Sequence, residues 1–468
     1  MSMTTSKALG IAIALLIIGL INGYAVGFYT APGGGVTTVT TTVTAGAGAT
    51  ATVTKTVEKT VTQTVTAGAG GLSGEVKVGA LLSLTGVLST YGENSEVALE
   101  LAEKEINEWL DAIGAAWDFK IVVEDTATQP KTALDKMQTL HGQGILFFIG
   151  PMTSAEVSEV KSYADSNGLL VISQSSTSPA LAIPGDSLYR FCPTDVVQGP
   201  AAARVLYDLG VRWVVPFWRG DTWGDGLAEA QREAFEKLLK ETGEEGGVVE
   251  GIRYDPDTTE FSSQVAQLND IVTNLVNQYG VDKVGVGYVG FEEAVAVFTA
   301  ASKYDILMQV KWVGSDGTAG LADLVKDATA AEFSIKTWFL SPIFAPAASP
   351  HLEKVKSYVE EKLGRTPDSY AYAAYDAAWI YALAFMILND YNPQKVKALM
   401  PDLVQRYVGA SGSFVLDENG DRATADYELW IPKKTDGGYE WAIAGVWHAA
   451  TDSITWESWW LEFTGMGG

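Results

Sequence analysis

The stretch Gly144-Ile145-Leu146-Phe147-Phe148-Ile149-Gly150-Pro151-Met152-Thr153-Ser154 decides how this chain folds. Its first seven residues are an apolar run bounded by glycines, the pattern of a strand buried on both faces of a parallel sheet. They empty into Pro151-Met152-Thr153-Ser154 ahead of a helical stretch. The pattern then repeats: Gly168-Leu169-Leu170-Val171-Ile172-Ser173 runs into Gln174-Ser175-Ser176-Thr177-Ser178-Pro179. Two neighbouring strand ends thus present hydroxyls and backbone N–H groups at one sheet edge, where open α/β sheets bind polar ligands. Thr153-Ser154-Ala155-Glu156 also fits a capping box, so either cluster taken singly reads as an ordinary helix cap. Two in succession point to a ligand.

Outward from this pair, strands and helices alternate. Before it come a strand over 76–84, a helix over 94–113, a strand over 119–124 and a helix over 130–142. After Cys192 the alternation resumes with a helix over 196–209, strands over 211–218 and 247–254, and helices over 227–242 and 261–279. A strand over 281–289, a helix from Glu292, a strand over 310–314 and another helix complete the second unit. This is the grammar of parallel sheets. The chain is therefore expected to be α/β, with two doubly wound parallel-sheet lobes and a cleft between them.

The remainder reads as three helices, over 350–363, 369–389 and 393–408, and then aromatic strands over 427–431 and 439–446. If the helices return to the first lobe and the strands to the second, the chain crosses three times. The expected division is lobe 1 from 75–194 and 344–412, and lobe 2 from 195–343 and 413–468.

The chain has 468 residues, and 47% hydrophobic with 10% aromatic content argues for a globular protein over most of its length. Its 57 acidic and 32 basic residues give a net charge of -25, leaving no basic surface to neutralise nucleic-acid phosphates. Cys192 is the only cysteine, and His141, His351 and His448 have no metal-ligand spacing.

Ala8 to Tyr29 carries no charge and follows Lys7. The run is long for a secretory signal and lacks a lipid-attachment cysteine, which favours a retained membrane anchor with its N-terminus inside. Lys7-Ala8-Leu9-Gly10-Ile11 also resembles the pilin-type signals of archaeal surface proteins. Residues 32–74, dominated by Thr, Val, Ala and Gly, read as an extended stalk beyond a signal or anchor at 1–31. The expected place is the outer face of the cell membrane, or outside the cell if the segment is cleaved.

In order, five stations resemble the branched-chain amino acid binding proteins of ABC transporters, a type I periplasmic binding protein family. The resemblance covers roughly Gly74 to Asp436. Its opening strand and glycine turn correspond to Val76 through Gly86, and its pocket-edge tyrosine to Tyr91. Ile149-Gly150-Pro151-Met152-Thr153-Ser154 and Ile172-Ser173-Gln174-Ser175-Ser176-Thr177 correspond to its two ligand-carboxylate turns. The resemblance implies that Ser154 and Thr177 donate to an α-carboxylate, aided by helix N-termini. Ser175 stands where a small residue's carbonyl receives the α-ammonium, and its hydroxyl departs from the pattern. In the second lobe, Gly220-Asp221-Thr222-Trp223-Gly224 puts Trp223 over the ligand, Tyr288-Val289-Gly290-Phe291 supplies an aromatic turn, and Gly314-Ser315-Asp316-Gly317 supplies the acid for the ammonium. The family more commonly has Glu there, one methylene longer. Met152, Tyr91 and Trp223 make an apolar and aromatic wall, and Tyr370 is a further pocket candidate. Trp223 and Phe291 also read as lobe-packing aromatics, Asp316 as a helix cap and Tyr370 as core.

No G-x-S-x-G or phosphate loop is present, and no histidine adjoins the hydroxyl clusters, so neither an enzyme nor a cofactor is expected. A dehydrogenase is disfavoured because no G-x-G-x-x-G follows the first strand. The expected function is capture of an amino acid, branched-chain by default, and its delivery to an ABC permease in the membrane. The alternatives are a ligand-sensing receptor of the same fold, or a binder of amides, urea or aromatic acids.

Overall fold

The computed structural model describes residues 71–466. The anchor and nearly all of the stalk expected from the sequence lie outside the described residues. The first parallel sheet holds β1 (Gly74–Leu82), β2 (Trp117–Asp125), β3 (Phe147–Ile149), β4 (Leu170–Ser173) and β5 (Leu188–Arg190), in the order β2-β1-β3-β4-β5. The second holds β6 (Trp213–Arg219), β7 (Gly247–Val248), β8 (Ile252–Tyr254), β9 (Val284–Val289) and β10 (Lys311–Val313). There β10-β9-β6 run in order, and β7 and β8 both pair with β6. The α/β class and the two parallel sheets thus match the expectation.

A single strand expected over 247–254 is two pieces. The break falls beside Pro216, which has no N–H to give a neighbouring strand. A Cβ on Gly251 would stand 2.0 Å from the Pro216 carbonyl oxygen, so the backbones approach where pairing is interrupted.

A third sheet was not legible in the alternation. Strands β11 (Ser341–Phe344), β12 (Tyr427–Thr435), β13 (Gly438–His448) and β14 (Ser453–Trp456) form an antiparallel meander. A parallel bridge from Val313 to Leu340, just ahead of β11, ties it to the second lobe.

Helix Ser369–Leu388 is long and apolar enough to cross a membrane by length and composition. Here it is the core helix of the first lobe, hydrophobic around most of its circumference because it is covered on most sides. Tyr381 Oη donates toward the carbonyls of Phe148 and Leu170, and Phe385 packs edge-on against Phe147.

The return from the first lobe is later than residue 412. Arg190 on β5 bridges to Asp421, Arg190 N–H donates to Gly420 O, and Arg422 N–H donates to Arg190 O. Residues 413–422 therefore line the edge of the first sheet, and the chain leaves for the second lobe only at β12. The physical reason is a buried ion pair. Arg190 Nε and Nη2 each lie 2.6 Å from an Asp421 oxygen in a bidentate fork, with side chains 0% and 2% exposed. Arg190 Nη1 also donates to Ser178 O at 2.7 Å, so the pair braces the second hydroxyl turn.

Candidate ligand-binding site

Both lobes bring a helix N-terminus to the cleft by the same device. Helix Ser89–Ala112 begins earlier than its apolar periodicity suggests, because Gly92 in its first turn lets it close onto the end of β1: a Cβ there would stand 2.0 Å from Ser83 O. In the other lobe helix Thr222–Thr242 likewise starts early, and a Cβ on Gly224 would stand 1.9 Å from Arg219 O. These close approaches carry Tyr91 and Trp223, each one residue before its glycine, to the cavity wall.

The cavity between the lobes is narrow, with a volume of about 20 Å³. The first lobe contributes Leu88, Tyr91, Met152, Thr153, Ser154, Ser175 and Tyr370, and the second Trp223, Phe291, Asp316 and Gly317. Eight of the nine residues singled out in the sequence therefore converge there. Thr177 does not: it is buried, but the lining excludes it. Its carbonyl accepts the N–H of Asp195 at 2.9 Å. Leu88, Thr153 and Gly317 line the cavity without having been singled out.

The two hydroxyl turns are laced to each other. Ser173 Oγ donates to Pro151 O at 2.7 Å and Ser175 Oγ to Met152 O at 2.8 Å. Ser154 Oγ accepts the Ser178 N–H at 3.1 Å and lies 3.0 Å from Ser176 Oγ. The extra hydroxyl of Ser175 therefore bonds within the protein. Thr153 caps helix Ser154–Asn167 in a full capping box with Glu156. That box uses the N–H groups of Thr153 and Glu156 and not that of Ser154, leaving a helix N-terminus at the cavity wall suited to an anion.

Facing it, Asp316 is 3% exposed and fully furnished with partners. Its Oδ1 accepts the Gly317 N–H at 2.9 Å, its Oδ2 accepts the Tyr370 hydroxyl, and its carbonyl lies 2.5 Å from the Tyr91 hydroxyl. Both tyrosines belong to the first lobe. Burial pushes the Asp316 carboxyl up to about 6, against the pull of its hydrogen bonds.

Trp223 and Phe291 stack face to face, centroids 4.5 Å apart and planes within 5°. Asp221 caps the Trp223 helix by accepting the N–H groups of Trp223 and Gly224. Arg219 grips Asp221 at 2.6 Å and Glu293 at 2.9 Å while its guanidinium lies 5.0 Å from the Phe291 ring. Both aromatics are thus fixed from behind.

Outside the cavity a clasp joins the lobes. Glu292 accepts from Thr90 Oγ1 at 2.6 Å and Thr90 N–H at 3.1 Å, and its own N–H donates to Val87 O at 3.2 Å. Removing the carboxylate in Glu292→Ala is expected to raise the dissociation rate of a bound ligand about tenfold, the worth of a charge-assisted hydrogen bond. Stopped-flow tryptophan fluorescence reads this directly, and an unchanged rate would mean that the clasp does not hold the lobes closed.

Residues 94–435 match the family model described as receptor family ligand binding region. An uncharacterized protein of Methanocaldococcus jannaschii is 33% identical over 400 residues, covering 82% of this chain and 92% of that protein. Leu/Ile/Val-binding protein homolog 1 of Brucella abortus is 25% identical over 78% of this chain and 93% of its own length. Among solved structures, a solute binding protein of an ABC transporter from Rhodopseudomonas palustris, in complex with p-hydroxybenzoic acid, superposes with a TM-score of 0.64 at 18% identity. That match covers 81% of this chain and 98% of the other.

Proposed function

This chain belongs to the receptor family ligand-binding region, a family of type I periplasmic binding proteins that bind without catalysis, and from that membership we propose that it is the solute receptor of an ABC transporter. Its cargo is an amino acid, branched-chain by preference. The observation that carries this reading is the polarity of one cavity. The helix N-terminus at Ser154 stands on one lobe and the carboxylate of Asp316 on the other, with Tyr91, Met152, Trp223 and Phe291 also in the wall. An α-carboxylate, an α-ammonium and an apolar side chain meet complementary surfaces there. The name of the Brucella relative supports the same class. The N-terminal apolar run, read as an anchor, would tether the receptor outside the membrane beside its permease.

A second reading is favoured by the Trp223–Phe291 stack and by the aromatic acid held in the Rhodopseudomonas structure. An aromatic acid would use the Ser154 helix terminus and the ring wall but has no ammonium for Asp316. Calorimetric titration of the full-length chain, stripped of bound ligand, with leucine, isoleucine, valine and 4-hydroxybenzoate separates the two. Saturable binding of an aliphatic amino acid supports the first reading. Binding of 4-hydroxybenzoate alone would replace it with the second.

A further inference from the structure

Gln198 does not line the cavity, yet it touches the residue on which the amino-acid reading depends. It sits in the first turn of helix Asp195–Asp208, 1% exposed, with both ends of its carboxamide engaged. Oε1 accepts the backbone N–H of Asp316 at 2.8 Å, and Nε2 donates to Asp195 Oδ1 at 3.1 Å. Those two partners fix the amide's orientation, since the flipped form would set donor against donor and acceptor against acceptor. Asp195 in turn donates its N–H to Thr177 O. A continuous hydrogen-bonded path therefore runs from the second hydroxyl turn through Asp195 and Gln198 to Asp316.

The contacts of Asp316 divide into two kinds. Those from Tyr91 and Tyr370 come from the opposite lobe and are lost whenever the lobes part. Those from Gln198 and Gly317 lie within its own lobe and persist. In an open receptor Gln198 is thus the side chain that keeps the acid aimed into the cleft. We propose that Gln198, oriented by Asp195, is the positioning residue that presents Asp316 to the ammonium end of the ligand and so sets discrimination between an amine and its uncharged analogue. The proposal rests on the amino-acid reading above.

Asp195 is completely buried, and its Oδ2 has no hydrogen-bond partner. Burial first, and then the neighbouring Asp316, hold its carboxyl well above the usual carboxylate range.

The test is calorimetric titration of the full-length wild type, Gln198→Met, Asp195→Leu and Asp195→Asn with leucine and with 2-hydroxy-4-methylpentanoate, the same skeleton with a hydroxyl for the ammonium. In Gln198→Met the Kd for leucine is expected to rise about tenfold while that for the hydroxy acid stays within about threefold, so that selectivity collapses. Asp195→Leu, which frees the carboxamide, is expected to do the same, and Asp195→Asn, which keeps an acceptor oxygen, to retain the wild-type ratio. Should Gln198→Met not fold, by circular dichroism, the two Asp195 variants decide. Parallel weakening of both ligands with the ratio intact would overturn the positioning role alone. A wild type that takes no amino acid would overturn the functional reading and this proposal together.

Discussion

Replacement of Asp316 by asparagine is expected to weaken amino-acid binding about 100-fold or more, on the order of 3 kcal/mol, while leaving a deaminated analogue nearly unaffected. The ammonium of a bound amino acid would be buried against a neutral amide in place of a carboxylate, with little water to compensate. The same residue supplies a pH dependence of definite sign. In the unliganded protein burial raises the carboxyl to about 6, so it holds a proton below that pH and has lost it above. An ammonium needs the ionised form. Affinity for an amino acid is therefore expected to be full at neutral pH and to fall by up to about tenfold per unit below about 6. Asp368, also buried and raised to about 6, titrates in both proteins, so the difference between wild type and Asp316→Asn isolates the acid of interest. A wild-type affinity flat from pH 7 to pH 4.5 would sink the assignment of Asp316 to the ammonium.

The second large effect concerns the fold. In Asp421→Leu the Arg190 guanidinium is expected to remain buried without its bidentate partner, which destabilises by about 3–5 kcal/mol. Its remaining contacts, to Ser176 O and Ser178 O, cannot replace a carboxylate. The double variant Arg190→Met with Asp421→Leu removes the stranded charge as well and is expected to recover most of the loss, because burying the pair itself costs desolvation. Urea unfolding of the two variants beside the wild type measures both numbers. A single variant within about 1 kcal/mol of wild type would show that water reaches Arg190, contrary to its complete burial here.

What could be read in advance follows from the physics of each element. Strands β3 and β4 were legible because a strand covered on both faces has to be continuously apolar, and glycines mark its ends. The hydroxyl turns were legible for their place after those strands. The early starts of helices Ser89–Ala112 and Thr222–Thr242 were hidden, because Gly92 and Gly224 lower local helix propensity and are tolerated only through tertiary contact. Strands β12 and β13 were legible from their aromatic residues, but their pairing into a separate antiparallel sheet was not, because its first member, β11, lies far from β12 in the chain. Gln198 was invisible: its partner Asp316 is 118 positions away, and a lone glutamine in a helix carries no motif. Thr177, placed at the ligand by its motif, is buried and does not line the cavity.

The Arg190–Asp421 pair also fixes when the first lobe can be completed. Its two halves are separated by 231 positions, and the whole of β6 to β11 is made between them. At roughly 5–20 residues per second of synthesis, the ribosome takes on the order of ten seconds to the better part of a minute to deliver Asp421 after Arg190. Throughout that interval the outer edge of β5 is uncovered and the Arg190 guanidinium lacks its carboxylate, and helix Ser369–Leu388, the apolar centre of the lobe, is for most of it still untranslated. A chain built this way cannot finish domain by domain as it emerges. It stays open until nearly complete, which is also the state in which a polypeptide can be threaded across a membrane.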